Sequence, residues 1–91
     1  SGPFVRGDAN TDGRIDIGDA ITVLTHLFAQ GPCRCKDAAD ANDDEGVDIA
    51  DAIKILAHLF AAAGPLPPPF DGCGVDPAGA GLECESFDPC R

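Results

Sequence analysis

Basic side chains are scarce in this sequence: six Lys and Arg stand against sixteen Asp and Glu, for a formal net charge of −10. A phosphate backbone or an anionic membrane is held chiefly by Lys and Arg, so neither is expected as a partner. Long apolar runs are also missing, and no membrane-spanning helix is expected. No Ser/His/Asp or Cys/His constellation stands out, so an enzyme finds no support. The CxxC spacing of redox and zinc hairpins is lacking too. Cys33 and Cys35 flank a single residue, an awkward separation for pairing with each other. A signal peptide is absent, but Ser1-Gly2-Pro3 reads as a cloning remnant and the chain as a piece of a longer secreted protein, so that absence says little about destination.

Ninety-one residues are enough for one small domain with a modest core, a size that usually needs a metal or disulfides as a staple. Five cysteines supply the second and suggest an oxidising, extracytoplasmic setting. The acids supply the first. In Asp8 to Phe28, DANTDGRIDIGDAITVLTHLF, the residues Asp8, Asn10, Asp12, Asp16 and Asp19 put side-chain oxygens at positions 1, 3, 5, 9 and 12 of an EF-hand-type Ca²⁺ loop. A cation of calcium's size takes six to eight oxygens at roughly 2.3–2.6 Å, so the chain must curl round it with a turn at position 6. Gly13 stands there and allows the positive φ that the turn needs, after which the Arg14 carbonyl at position 7 can face the ion. Asp16 acts directly or through a water. Asp19 replaces the usual bidentate Glu and, at the head of an apolar run, is expected to cap the following helix as well.

The same pattern recurs 32 residues on. Asp40 to Phe60, DANDDEGVDIADAIKILAHLF, repeats thirteen of twenty-one identities, including the candidate ligands Asp40, Asn42, Asp44, Asp48 and Asp51. Two acidic turns that merely cap helices would need one oxygen each, not five at fixed spacing. Loop 2 departs at position 6, where Glu45 precedes Gly46, the expected carbonyl donor of position 7. A left-handed Glu45 costs roughly 1–2 kcal/mol, so this site is expected to be the weaker. Eight of the sixteen acids are proposed ligands, and two Ca²⁺ would bring the charge from −10 to −6. Position 8 holds Ile15 and Val47, which in paired loops are expected to form a two-residue bridge.

Phe4 to Gly7 is too short for a helix ahead of loop 1. Helices are expected from Ile17 to about Ala29, with a stop at Gly31-Pro32, and over the matching stretch from Ile49. On a helical wheel Ala20, Val23 and Leu27 form one stripe and Ile17, Ile21, Leu24 and Phe28 a second, a face roughly 160° wide. Ala52, Ile55 and Leu59, then Ile49, Ile53, Leu56 and Phe60, copy it. His26 and His58 share the opposite, polar side, where plain surface histidines are preferred to a zinc pair. Between the repeats, GPCRCKDAA suggests a turn and one helical turn. Gly64 to Phe70 reads as a polyproline II strap, a rigid connector in preference to an SH3-type ligand. Asp71 to Arg91 shows little regular structure.

The tandem GDANTDGRIDIGDAI and ADANDDEGVDIADAI resemble the duplicated Ca²⁺ loop-helix repeats of the dockerin family, type I style, over roughly Gly7 to Ala62. The linker CRCKDAA and the tail PLPPPFDGCGVDPAGAGLEC resemble a bacterial subgroup with a Pro- and Cys-rich tail. The resemblance implies a non-catalytic module that folds on two Ca²⁺ and docks a secreted parent protein onto a cohesin-like partner. It places partner contacts at Ile17, Gly18, Ile49 and Ala50, and the second stripe adds Ile21, Leu24 and Phe28. It also implies that Cys35 is bonded, its place five residues before loop 2 matching the subgroup's Cys. Four cysteines, Cys35, Cys73, Cys84 and Cys90, are expected in two disulfides and Cys33 outside them; of three pairings, Cys35 with Cys73 is favoured.

The expected fold is all-α: a leader over 1–6, a domain over 7–63 with repeats 8–28 and 40–60 related by a pseudo-two-fold, and an irregular disulfide-tied tail over 64–91. The inner stripes are expected to pack on each other. The strap is expected on Ile49, Ile53, Leu56 and Phe60, leaving the stripe of Ile17 as partner surface. The competing class is a calcium-dependent structural cap with no cohesin partner.

Overall fold

The computed structural model describes residues 3–62, 64–70, 72–75, 82, 84 and 86–90, so the stretch 76–81 of the expected tail lies outside the described residues. Three α-helices follow in order, α1 (Ile17–Ala29), α2 (Lys36–Ala39) and α3 (Ile49–Phe60), with a 3₁₀ turn at Asp88–Cys90 and no strand among the described residues. No helix among them is long and apolar enough to cross a membrane.

Both long helices start by the same local rule. Asp16 and Asp48 adopt extended backbone and cap the helix by accepting from Gly18 N and Ala50 N, each at 3.0 Å. Three residues on, Asp19 and Asp51 reach back to the N–H of Asp16 and Asp48 at 2.8 Å, closing a capping box. The N-cap residue is thus Asp16, and the capping expected of Asp19 takes the form of its partner role in the box, where its carboxylate receives the Asp16 N–H.

The inner stripes meet as expected. Ala20, Val23, Ala52 and Ile55 are buried between α1 and α3 together with Ala9, Ala39, Ala41 and Leu66, and Leu27 and Leu59 pack at the edge. Only Val23, Ile55 and Leu66 are large among the buried members. At about 1.5–3 kcal/mol for each such side chain, they fall well short of the ordering entropy of a domain, and the loops and disulfides must contribute the rest. A second cluster joins Phe4, Ala38, Phe87 and the Cys35–Cys84 disulfide.

The tail departs from expectation. Cys35 pairs with Cys84, and Cys73 with Cys90, leaving Cys33 outside both disulfides. The strap runs to the leader, where Gly74 and Phe4 exchange N–H···O bonds at 2.8 and 3.0 Å, and Cys73 beside Gly74 is bonded to Cys90 at the 3₁₀ turn. The returning chain then bridges Cys84 to Cys35. Nor does the strap cover the stripe of Ile49. Leu66 enters the core under Gly7, whose φ of +95° and missing Cβ make room for it, since a Cβ there would overlap the Leu66 side chain. The outer stripes stay open except at Leu24 and Leu56, which lie half-buried against the core where the helical face turns inward: Ile17, Ile21 and Phe28 are 53, 54 and 72% exposed, and Ile49, Ile53 and Phe60 are 52, 58 and 72% exposed. The carbonyls of Pro68 and Pro69 are bonded by Arg6, and those bonds hold the strap at the leader.

The expected bridge between Ile15 and Val47 is also absent, the isolated bridges among the described residues being Phe4–Gly74 and Cys35–Cys84. Ile15 instead lies beside Gly7 and Val47 against the main core, so both serve packing.

Candidate metal centre

Each loop is wound on the carboxylates that begin and end it. Asp8, fully buried, accepts from Asp12 N at 3.2 Å on Oδ1 and from Gly13 N at 2.8 Å on Oδ2. Asp19, also buried, accepts from Asn10 N at 3.2 Å and Asp16 N at 2.8 Å. Between them, Asn10 Oδ1 takes Asp12 N at 3.3 Å and Asp12 Oδ1 takes Arg14 N at 2.9 Å. The chain turns at Thr11 (φ 56°) and at Gly13 (φ 88°). Loop 2 repeats every bond: Asp40 with Asp44 N and Glu45 N, Asp51 with Asn42 N and Asp48 N, Asn42 with Asp44 N, and Asp44 with Gly46 N. Its turns fall at Asp43 (φ 58°) and Glu45 (φ 67°), so the non-glycine residue at position 6 takes the left-handed conformation.

This winding gathers Asp8, Asp12 and Asp19 in one group and Asp40, Asp44 and Asp51 in another, with one carboxylate oxygen from each residue within 4.8 Å of the others. In both groups the first and third acids are buried and the middle one exposed, which leaves an opening to solvent. Of the remaining expected ligands, Asn10 and Asn42 hold their side-chain oxygens inside the loop, and Arg14 and Gly46 are anchored by their N–H groups. Asp16 and Asp48 lie outside these two groups and put their carboxylates to work as helix caps, accepting from Gly18 N and Ala50 N and from the backbone three residues on.

Burial lifts Asp19 to about 7, against the N–H bonds from Asp16 and Asn10 and with help from the charges of Asp8 and Asp12. Asp40 is likewise pushed up to about 7 by burial and by Asp51. Asp8 and Asp51 are raised for the same leading reason, with Asp12 adding to the first and Asp48 and Asp44 to the second. Carboxylates crowded and buried in this way disfavour their own ionisation, and a cation among them removes the conflict. The donors are all oxygen, so the groups fit a hard divalent ion of the Mg²⁺, Ca²⁺ or Mn²⁺ class and not a soft one.

The two histidines play no part in these groups. His26 Nδ1 bonds the Gly31 carbonyl at 3.0 Å and His58 Nδ1 the Gly64 carbonyl at 2.7 Å, and the His58 ring meets Phe70 edge-on at 5.0 Å. Both are half-buried. Each ties down the chain leaving its helix, a role the surface reading overlooked. Arg6 escaped the sequence reading altogether. It is the largest fully buried side chain among the described residues, and its only sequence signal was a lone basic residue one position ahead of the Gly7 that precedes loop 1.

Compared with known proteins, the chain matches no family model, no curated protein and no solved structure.

Proposed function

We propose that the chain is a non-catalytic docking module that folds on two Ca²⁺ ions and attaches a secreted parent protein to a cohesin-like partner through α1 and α3. One observation carries the reading: the same loop, with three convergent carboxylates, occurs twice, and each copy feeds a helix whose outer stripe is apolar and exposed. Ca²⁺ is preferred to Mg²⁺ because the EF-hand-like order of oxygens, with turns at positions 4 and 6, suits a large ion with many ligands. Two disulfides fit an oxidising compartment, in line with secretion. The competing structural-cap reading needs the tail to cover the helices, and both stripes lie open, which favours docking.

The test is recovery of a cohesin-like protein from a secreted fraction on immobilised chain, with Ca²⁺ and with chelator. Recovery with Ca²⁺ alone is expected. Because the stripes are equally open, Ile21→Asp and Ile53→Asp are expected to weaken recovery to similar degrees, with little change in melting temperature. Binding that persists in chelator, or in the double variant, would count against docking through these helices.

A further inference from the structure

Arg6 sits where three parts of the chain meet. Its Nη1 donates to the carbonyls of Asp40 at 2.8 Å and Asp37 at 3.1 Å, its Nε to the carbonyl of Pro68 at 3.0 Å, and its Nη2 pairs with Asp43 Oδ1 at 3.4 Å. Its backbone N–H adds a bond to the Pro69 carbonyl at 2.7 Å, and Phe4 lies 5.2 Å from the guanidinium. Asp40 is the first carboxylate of loop 2 and Asp43 stands at position 4 of the same loop, whereas Pro68 and Pro69 belong to the strap.

A guanidinium buried this completely is tolerable only while its hydrogen-bond acceptors stay in place, because losing them strands a charge away from water. If loop 2 opens, Arg6 loses Asp40 O and Asp43; if the strap lifts, it loses Pro68 O. Either loss raises the cost of keeping the other contacts. Asp43 also offsets the guanidinium's charge, so Asp40 is held without an uncompensated cation beside the carboxylates. The first repeat does not contain the same pair: the residue in register with Asp43 is Thr11, and the residue in register with Arg6 is Ala38.

We propose that Arg6 is a positioning residue that couples the ion site of loop 2, in preference to that of loop 1, to closure of the C-terminal strap; this rests on the reading of the loops as calcium sites. Filling loop 2 tightens the strap, and by thermodynamic reciprocity the closed strap raises the affinity of loop 2 by the same factor. Sequence proximity argues the other way, since Asp8 of loop 1 is only two residues from Arg6. That opposition makes the proposal testable.

The reporter is the Gly74 N–H, which donates to Phe4 O at 3.0 Å and lies far in sequence from both loops. Its hydrogen exchange is measured in excess Ca²⁺ on disulfide-intact protein, for the unsubstituted chain and for Asp12→Ala and Asp44→Ala, which remove the exposed acid of each group of three and create no buried void. Asp44→Ala is expected to speed Gly74 exchange about fivefold or more, and Asp12→Ala far less. Equal acceleration by the two variants, or by neither, overturns the coupling. In an Asp43→Asn chain, which loses the ion pair and keeps the ligand acids, the Ca²⁺-induced slowing at Gly74 is expected to shrink; an unchanged slowing overturns the assignment to Arg6. A different result, no response of any amide to Ca²⁺ in the unsubstituted chain, overturns the calcium reading itself.

Discussion

In loop 1 the Asp8 carboxylate receives the N–H groups of Asp12 and Gly13 at 3.2 and 2.8 Å, and in loop 2 Asp40 receives those of Asp44 and Glu45 at the same two distances. Beyond the loops and the helices they feed, the likeness ends. Arg34 is exposed and lines a cavity with Asn10 and Thr11, while its counterpart Leu66 is buried in the core. Loop 2 is gripped by Arg6, which also holds the strap; loop 1 has the 3₁₀ turn of the tail beside it, where a Cβ on Gly13 would come within 3.8 Å of Pro89. The difference shows that local sequence determines the winding of a loop, and that residues occurring only once determine what closes around it.

The sharpest way to probe this comparison is to remove the ion. Chelation of the disulfide-intact chain is expected to cost much of its helicity by circular dichroism, since a ligand at a thousand times its Kd contributes about 4 kcal/mol per site. Asp8→Ala and Asp40→Ala are each expected to leave one binding site by calorimetry. Identical spectra with and without chelator would end the calcium account, and loss of both sites in either variant would break the independence of the two windings.

Next comes pH. Asp19 and Asp40 titrate near 7 when folded and near 3.8 when unfolded, so between those values the folded chain holds more protons than the unfolded one. Stability of the ion-free protein therefore falls as pH rises from about 4 to about 7, with the two loops contributing in the same direction. Ca²⁺ competes with these protons, so its affinity rises over the same range. Thermal melts in chelator at pH 5 and pH 8 check the first statement; greater ion-free stability at pH 8 would contradict it. The smallest effect is expected at position 6. Glu45→Gly keeps the left-handed turn and removes its side-chain strain, roughly 1–2 kcal/mol, and is expected to strengthen the second site or leave it unchanged. Gly13→Ala is expected to weaken the first. Weaker binding in Glu45→Gly would overturn this account of the turn.

Much of this was legible in local pattern. The three convergent acids of each loop, Gly13 at its turn, the starts of α1 and α3 at Ile17 and Ile49, and the inner stripe of Ala20 and Val23 against Ala52 and Ile55 all follow from spacing, because capping and helical periodicity act over a few residues. The bonded cysteines were expected only through the resemblance, not from spacing, and their pairing could not be read at all. That choice depended on where the strap went, and the strap went to Arg6, whose partners Asp37, Asp40 and Pro68 lie 31, 34 and 62 residues away. Contacts of such range leave no periodic trace. The outer stripes were misjudged for the same reason: Leu66 had a slot under Gly7 that helical wheels do not display.

The Cys35–Cys84 bond divides the chain in a way that the symmetry of the repeats hides. It closes a ring with a sequence separation of 49, and the whole second repeat with the strap lies inside that ring. The first repeat lies outside, on an open arm. By loop-closure entropy such a ring restricts the unfolded chain by about 4 kcal/mol, and that restriction applies to loop 2 and α3 but leaves loop 1 and α1 as free as any unfolded segment. Two windings of nearly equal geometry thus start from unequal unfolded states. Oxidation before the ions arrive narrows the search for the second repeat alone, and the leader, by carrying Arg6 across to the strap, is what brings the open arm back onto the ring.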